Sequence, residues 1–323
     1  MKKNNFILVT GCYGFVAQHL IFKLLKKGEN VVGIFNRKYQ IEIFNTNSFQ
    51  LKKKYIIIKG DITNKIFISN LIKKYKFTKC FHLAAVSQVL DSNTNPVKTF
   101  NNNIFGTINL LENFRKINSN VNFIFSSSDK VYGDSNDLPY NENTPINAVN
   151  PYDVSKASAD LICRSYAFTF KLNISITRFV NIYGPGDVNW DRIIPGTIKK
   201  LLNNNKPILR SNGQFLRDYI YIDDVVEGYL MLSNYLEKEP DNLRGRSINF
   251  GSNNPVSALD IVKILLKIFK LDNNYYDIKN IAKHEIKDQY SNFSLAKKLI
   301  GWKPKTKIND GLIKSIKWYK KLR

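Results

Sequence analysis

Cysteine and histidine are scarce in this sequence, with three residues of each among 323. The cysteines are odd in number, lie far apart and lack the spacing of a metal site. The pattern therefore predicts buried free thiols in a reducing compartment rather than a disulfide framework. So few thiol and imidazole ligands also argue against a structural or catalytic metal. The three cysteines are Cys12, Cys80 and Cys163.

Long hydrophobic runs are also missing. No segment approaches the roughly 20 apolar residues that a membrane-spanning helix needs. The apolar stretch near the start, from Phe6 to Val9, is short and runs directly into a glycine turn. This is typical of a first β-strand and not of a secretory signal. We therefore expect a cytoplasmic protein with no membrane partner.

Acidic residues are few compared with basic ones, since 26 Asp and Glu against 49 Lys and Arg give a net charge of +23. A balance of this kind suggests a nucleic-acid partner. The lysines, however, are spread over the whole length, and Asn and Ile are also abundant, which indicates a composition bias and solvated lysine faces. We expect no specific nucleic-acid partner, although the positive charge should attract an anionic substrate.

Predicted strands and helices alternate through the first half of the chain. Residues 6–10 have the pattern of a short buried strand, and residues 17–27 carry apolar side chains at helical spacing. Strands that alternate with helices form βαβ units and a parallel sheet. Further strands are predicted at 31–35, 55–59, 80–83, 121–127, 174–179 and 247–250, and further helices at 64–74 with Thr63 as N-cap, 96–116, 151–171, 258–269 and 310–321.

The regular alternation ends at Val180, where Gly184, Pro185 and Gly186 open a less regular segment. We predict an α/β fold with a Rossmann-like doubly wound parallel sheet over residues 1–179. A smaller mixed α/β substrate-binding lobe is expected mainly from residues 180–323. The chain should return to the first domain near 218–250, so a single boundary is an approximation.

A glycine-rich turn lies between the first strand and the first helix. Its sequence, Gly-x-x-Gly-x-x-Ala, includes Gly11, Tyr13, Gly14, Phe15 and Val16. Glycines permit a tight turn and close approach of backbone N–H groups to a pyrophosphate, and the helix N-terminus favours negative charge. A plain strand-to-helix turn is the alternative. The strand before and the helix after the turn favour dinucleotide binding.

Two later strand ends are consistent with this site. Asp61 and Ile62 follow the third strand, where a carboxylate can accept a hydrogen bond from an adenine amino group. Leu83, Ala84 and Ala85 follow the fourth, where small residues admit the cofactor. We expect all five to contact NAD or NADP.

The second strand ends in Asn36 and Arg37, followed by Lys38. An acidic residue here would favour NAD, whereas an arginine can meet the 2′-phosphate of NADP. We lean slightly to NADP; the alternative is that Arg37 and Lys38 are two more surface cations. His82, at the end of the fourth strand, is interpreted as a packed structural residue.

Tyr152 and Lys156 have Tyr-x-x-x-Lys spacing, which places both on one face of a helix. An ammonium close to the phenol lowers its pKa and lets tyrosine act as a base near neutral pH. Lysine can also bind the nicotinamide ribose. The pair opens a predicted helix after Pro151, and a serine-rich strand end, Ser126 to Ser128, precedes it. This combination predicts a catalytic site.

At this point the sequence resembles the extended short-chain dehydrogenases that act on nucleotide sugars. The residues that carry the resemblance are Thr-Gly-x-x-Gly-Phe-x-Ala, His-Leu-Ala-Ala, Ser-Ser-Asp-Lys-Val-Tyr-Gly and Pro-Tyr-Asp-Val-Ser-Lys. Segments 181–197, 210–213, 217–219 and 285–290 narrow it further and look like CDP-glucose 4,6-dehydratases. The resemblance covers essentially the whole chain and implies tightly bound NAD or NADP, regenerated at each turnover.

The implied reaction is a redox-neutral dehydration of a nucleotide sugar. Tyr152 would take the C4 hydroxyl proton, and Ser128 would hydrogen-bond the same hydroxyl. Elimination of water across C5 and C6 also needs an acid and a base, and the resemblance assigns Asp129 as the acid and Lys130 as the base. Many 4,6-dehydratases have Glu at the position of Lys130. A simple ion pair between Asp129 and Lys130 is the alternative.

Several residues of the second half are expected to bind substrate. Arginine and lysine side chains there can neutralise a diphosphate. Trp190 is a candidate for the nucleotide-base pocket, and Trp302 is interpreted as structural. The predicted substrate residues are Ser87, Asn181, Arg192, Arg210, Arg217 and Lys287.

Three other functions remain open. A nucleotide-sugar 4-epimerase shares Ser, Tyr, Lys and cofactor but needs no Asp–Lys pair. A 4,6-dehydratase for GDP-mannose or a UDP-sugar is the second alternative, because the motifs do not settle which nucleotide base is bound. A catalytically silent NAD(P)-binding protein that contacts RNA is the third. The resemblance also implies a homodimer or homotetramer, paired through the helices at 96–116 and 151–171.

Overall fold

The computed structural model describes residues 5–37, 43–44, 54–281 and 286–322. Lys38 and Glu285, which the sequence singled out, lie outside these ranges. The strands, in chain order, are β1 (Asn5–Thr10), β2 (Val31–Phe35), β3 (Tyr55–Lys59), β4 (Lys76–His82), β5 (Asn122–Ser126), β6 (Ile174–Phe179), β7 (Asn181–Tyr183), β8 (Ile208–Leu209), β9 (Leu216–Arg217), β10 (Tyr219–Tyr221), β11 (Ser247–Phe250), β12 (Val256–Ser257) and β13 (Asp277–Ile278). The helices are α1 (Phe15–Lys26), α2 (Lys65–Lys74), α3 (Val89–Thr94), α4 (Pro96–Phe100), α5 (Gly106–Ile117), α6 (Pro151–Phe170), α7 (Ile193–Leu202), α8 (Ile222–Lys238), α9 (Pro240–Leu243), α10 (Ala258–Phe269), α11 (Ser294–Ile300) and α12 (Ile308–Tyr319).

A seven-stranded parallel sheet in the order β3-β2-β1-β4-β5-β6-β11 forms the centre of the described structure. The chain builds β2 and β3 on one side of β1 and the later strands on the other. The strand order therefore reverses between β1 and β4, where doubly wound folds leave a crevice at the carboxyl ends of the strands. The predicted Rossmann-like fold is confirmed.

Helices cover both faces of this sheet because its strands are apolar on both sides. Alternate residues of β1 enter different cores: Val9 packs with α1 and α8, whereas Leu8 packs with the side that contains α2, α5 and α6. The three cysteines are free and buried, as expected. Trp302 is also buried and donates to the Asp224 carbonyl, which supports its structural interpretation.

Two local expectations differ from the structure. The N-cap of α2 is Asn64, whose side chain accepts from the Phe67 N–H group, and not Thr63. Thr63 instead donates its hydroxyl and its N–H group to Asp61, because the turn after β3 closes on that carboxylate. The single helix predicted at 96–116 is α4 and α5 joined by one π-helical segment, Asn101–Phe105.

The second half adds short strand pairs beside the sheet. In the described residues β7 pairs with β10 and β8 with β13, both parallel, and β9 pairs antiparallel with β12. The division into domains at 179/180 stays a prediction. None of the helices in the described ranges is long and apolar enough to cross a membrane.

Candidate active site

The glycine turn sits where β1 meets α1. Gly11 has a positive φ of 69°, and a Cβ atom built on it would lie 2.9 Å from the Ala84 Cα atom. The Gly14 N–H group closes the turn on the Gly11 carbonyl at 2.8 Å. Gly14 is the N-cap of α1 and supplies no side-chain cap, so the first amides of the helix are left to bind an anion.

The end of β4 is tied to β1 through Thr10. Its hydroxyl accepts from the N–H groups of Leu83 and Ala84 at 3.1 and 3.0 Å. His82 bridges Thr10 and Thr107 with its two ring nitrogens, at 2.7 and 2.9 Å. Burial, and then the charge of Lys156, lower the pKa of His82 to about 3. His82 is thus a neutral packed residue, as predicted.

The ends of β2 and β3 meet through Asn36 and Asp61. The Asn36 amide donates to the Asp61 carboxylate at 2.6 Å. A cavity of about 590 Å³ opens between this pair and segment 94–102. Arg37, next along the chain, is exposed.

These features fit a nicotinamide dinucleotide. A side chain on Gly11 would collide with the backbone after β4, so the turn keeps that approach open. The uncapped N-terminus of α1 suits a pyrophosphate. The polar pair of Asn36 and Asp61 beside the 590 Å³ cavity suits an adenosine, because it offers both a donor and an acceptor.

Ser128, Tyr152 and Lys156 come together at the carboxyl end of β5. Tyr152 and Lys156 both lie in the first part of α6, and Ser128 hydrogen-bonds the Tyr152 phenol. The Lys156 Nζ atom donates to the Ser126 carbonyl at 2.7 Å. Burial lowers the pKa of Lys156 to about 8. The two side chains of the Tyr-x-x-x-Lys pair are both buried in the first part of α6.

The lowered pKa that the sequence predicted for Tyr152 is wrong. Burial raises the pKa of the phenol above its ordinary value, and this outweighs the opposing effects of the Arg192 charge and the Ser128 hydroxyl. Lys156 directs its ammonium to a carbonyl instead of the phenol.

Asp129 lies beside this group at the start of a 3₁₀ turn, Asp129–Tyr132. Its side chain is 2% exposed, and the Ser128 hydroxyl donates to its Oδ1 atom at 3.1 Å. The Oδ2 atom is buried and has no hydrogen-bond partner among the described residues. Burial raises the pKa of Asp129, although the Lys130 charge opposes it. Burial therefore favours the protonated form of this carboxyl.

Lys130 does not form the alternative ion pair with Asp129 within the described structure. Its Nζ atom donates to the Gln289 Oε1 atom at 3.0 Å instead. Asp129 and Lys130 thus stay two separate groups, one buried carboxyl and one amine, side by side.

A second cavity, of about 530 Å³, lies among residues of the second half of the chain, and its lining does not include Ser128, Tyr152 or Lys156. The Arg217 guanidinium donates to the carbonyls of Leu216, Ile286 and Lys287, which fixes its position. Ser87 and Lys287 are exposed and lie outside the lining of this cavity. The predicted residues that line it are Asn181, Trp190, Arg192, Arg210 and Arg217.

Sequence reasoning missed two residues that hold the site together. Asn103, in the π-helical segment, binds both backbone groups of Val86 and donates to the Ser155 hydroxyl at 2.9 Å. It ties the loop after β4 to α6. Gln289 is the other. Both form long-range contacts, and a single sequence offers no signal for them.

The fold and the glycine turn are those of an NAD(P)-dependent enzyme. The family model described as GDP-mannose 4,6 dehydratase matches residues 8–315, and the chain belongs to that family. It is an enzyme of the nucleotide-sugar 4,6-dehydratase or 4-epimerase type.

Relatives of both types are similar over almost the whole chain. A dTDP-D-glucose 4,6-dehydratase of Bos taurus is 30% identical over 97% of this chain and 88% of its own. UDP-glucuronate 4-epimerase 4 of Arabidopsis thaliana is 30% identical over 97% of this chain and 75% of its own. The UDP-glucuronic acid 4-epimerase of Bacillus cereus, solved with UDP-glucuronic acid and NAD, is 30% identical. Its structure matches with a TM-score of 0.87 over 98% of this chain and 100% of its own.

Proposed function

We propose that this enzyme is a nucleotide-sugar 4,6-dehydratase that converts CDP-glucose to CDP-4-keto-6-deoxyglucose. The observation that carries the proposal is the buried Asp129 carboxyl, with its unpartnered Oδ2 atom, beside Ser128 and Tyr152. An epimerase exchanges hydrogen at C4 only, whereas a dehydratase must also protonate a leaving C6 hydroxyl. A carboxyl whose pKa burial raises is suited to supply that proton.

The first part of the proposed mechanism takes place at C4. When bound, the nicotinamide supplies the hydride acceptor at C4 and later the hydride donor at C6. Tyr152 accepts the C4 hydroxyl proton, and Ser128 hydrogen-bonds the same oxygen. Lys156, held on the Ser126 carbonyl, remains within the same buried group and binds the ribose.

The second part is elimination across C5 and C6. The 4-ketone acidifies the C5 hydrogen, and Lys130 accepts that proton. Asp129 donates a proton to the C6 hydroxyl, which leaves as water. The C5–C6 double bond then takes back the hydride at C6 and the proton held by Lys130 at C5, and the proton that Tyr152 accepted replaces the one Asp129 gave up. The result is a 4-keto-6-deoxy sugar with no net change in the cofactor.

The substrate assignment rests on the second-half motifs and on the positively charged side chains that line the 530 Å³ cavity. Arg192 and Arg217 are proposed to hold the diphosphate, because guanidinium groups pair well with phosphate oxygens. Asn181 and Arg210 line the same cavity, and Trp190 is proposed to face the base. CDP-glucose itself is inferred from the resemblance of segment 181–197. We also propose that the cofactor is NADP and not NAD, because Arg37 can meet the 2′-phosphate.

A 4-epimerase is the second candidate, since the UDP-glucuronate 4-epimerases match this chain as well as the dehydratases do. GDP-mannose and UDP-sugars are alternative dehydratase substrates. A silent RNA-contacting protein is disfavoured by the intact Ser128, Tyr152 and Lys156.

The test is turnover of CDP-, dTDP-, GDP- and UDP-sugars labelled with deuterium at C4, followed by mass spectrometry. We expect CDP-glucose to lose one water and to carry the label to C6. Asp129→Asn and Lys130→Ala should slow water loss more than C4 oxidation, so that reduced nicotinamide accumulates with substrate.

Label that returns to C4 of an inverted sugar without loss of mass would show an epimerase. Salt-sensitive RNA binding with no sugar turnover would favour the silent protein. Water loss from another nucleotide sugar would keep the dehydratase and replace CDP-glucose.

A further inference from the structure

The segment 286–289 is bound along the strand β9 and the residue after it. The Gln289 N–H group donates to the Leu216 carbonyl at 3.0 Å, and the Asp218 N–H group donates to the Gln289 carbonyl at 3.2 Å. Both backbone groups of Gln289 are therefore held, and its Cα atom has a fixed position relative to the substrate cavity beside Arg217.

The Gln289 side chain points from this segment to Lys130. It is 0% exposed, and its Oε1 atom accepts from the Lys130 Nζ atom at 3.0 Å. Its Nε2 atom is buried and finds no acceptor among the residues that the structure describes. Burying an amide NH2 group that finds no acceptor is destabilising, so stability alone does not account for this arrangement.

An amide oxygen is an unusual choice of partner for a lysine at this place. A carboxylate would favour the charged ammonium, whereas a neutral amide oxygen accepts a hydrogen bond and adds no net charge. An amine that donates one N–H bond to a fixed oxygen has a restricted lone-pair direction. The charged groups that already act on this region are Asp129, Asp153 of α6 and Arg217 of β9.

We propose that Gln289 is a positioning residue for Lys130, which orients the amine for proton removal at C5 and, being neutral, adds no charge that would stabilise the ammonium. The inference rests on the proposed dehydratase function. The proposal adds Gln289, from the C-terminal part of the chain, to the Asp129–Lys130 pair in the turn after β5.

The experiment compares Gln289→Leu and Gln289→Glu with the wild type. Two rates are measured: formation of reduced nicotinamide, which reports C4 oxidation, and loss of water, which reports elimination. In Gln289→Leu we expect elimination to slow about 10- to 100-fold, the effect of a misplaced catalytic group. C4 oxidation and KM should stay near the wild-type values, so reduced nicotinamide should accumulate.

Gln289→Glu keeps the size of the side chain and introduces a carboxylate opposite Lys130. Because a carboxylate stabilises the ammonium, elimination should be slow at neutral pH and recover at higher pH. Ser291→Ala is the matched control, since Ser291 is buried in the same segment and its hydroxyl has no partner among the described residues. It should leave both rates unchanged.

A double-mutant cycle separates positioning from packing. If Gln289 acts through Lys130, then adding Gln289→Leu to Lys130→Ala should cause no further loss of elimination. Two results would overturn this inference alone, provided that the wild type dehydrates its substrate. One is a further, additive loss of elimination in the double variant. The other is an elimination rate in Gln289→Leu equal to that of the wild type. Absence of water loss in the wild type would overturn the dehydratase function together with it.

Discussion

Burial has opposite consequences for the acidic and basic groups of the site. It raises the pKa of Tyr152 and of Asp129, and it lowers the pKa of Lys156 to about 8. In each case the buried environment disfavours the charged form. Asp129 is thus prepared to donate a proton, whereas Tyr152 needs added positive charge before it accepts one. An oxidised nicotinamide carries such a charge.

Tyr152→Phe should keep cofactor binding and lose most turnover. The ring still packs in the buried site, but the proton acceptor is gone, and loss of a general base costs about 10²- to 10⁴-fold. Turnover and binding of the nicotinamide cofactor are measured on the same preparation. Near-normal turnover would remove Tyr152 from the mechanism.

The rate of water loss should fall on the alkaline side of its pH profile. Asp129 donates only while protonated, and because burial raises its pKa the protonated form persists to higher pH than in an ordinary carboxyl. As the pH rises through that value the acid is lost. C4 oxidation should not fall in the same range, since Tyr152 acts there as a proton acceptor. The two rates measured over about pH 5 to 9 check this.

Arg37→Ala tests the proposed preference for NADP. A guanidinium that meets the 2′-phosphate contributes nothing to NAD, so the substitution should weaken NADP binding much more than NAD binding. Titration of both dinucleotides measures the difference. Equal effects on the two would show that the lean to NADP is wrong.

At the scale of elements, neighbouring residues at the start of α2 have different roles, one in the turn and one in the helix cap. Thr63 serves the turn through Asp61, and Asn64 caps the helix. Asn64→Ala should therefore lower the free energy of unfolding by about 1 kcal/mol. Urea unfolding of Asn64→Ala and of Thr63→Ala measures both. A larger loss in Thr63→Ala would restore Thr63 as the N-cap.

At the scale of the whole molecule, exposed apolar side chains mark the helices that were expected to pair. Val97 of α4, Phe105 of the π-helical segment and Leu161 of α6 are exposed. Large exposed apolar side chains on neighbouring helices are typical of an interface between copies of a chain. We propose a homodimer or homotetramer that uses this surface.

Leu161→Arg should shift this assembly toward the monomer, because a charge would be buried in the paired surface. Sedimentation of the variant against the wild type measures the change in mass. Ile66→Arg is the control, since Ile66 is an exposed apolar residue of α2, away from α6. The same shift in both variants would argue against a specific interface.

The alternation of strands and helices, the glycine turn and the Tyr152–Lys156 pair could all be predicted from the sequence. Each depends on interactions within a few residues: side-chain periodicity, the freedom of glycine and the pitch of a helix. The strands at 31–35 and 174–179 begin and end at the predicted residues for this reason.

Contacts between distant segments were decided only by the tertiary structure. Lys130 meets Gln289 across 159 residues, and Arg217 meets Ile286 across 69. The raised pKa of Tyr152 also depends on how deeply the whole fold buries the phenol. The sequence around Tyr152 does not predict this depth of burial. The sequence by itself thus determines the chemical groups that each residue brings to the site. The protonation of each side chain and its partner depend on which distant elements pack around it.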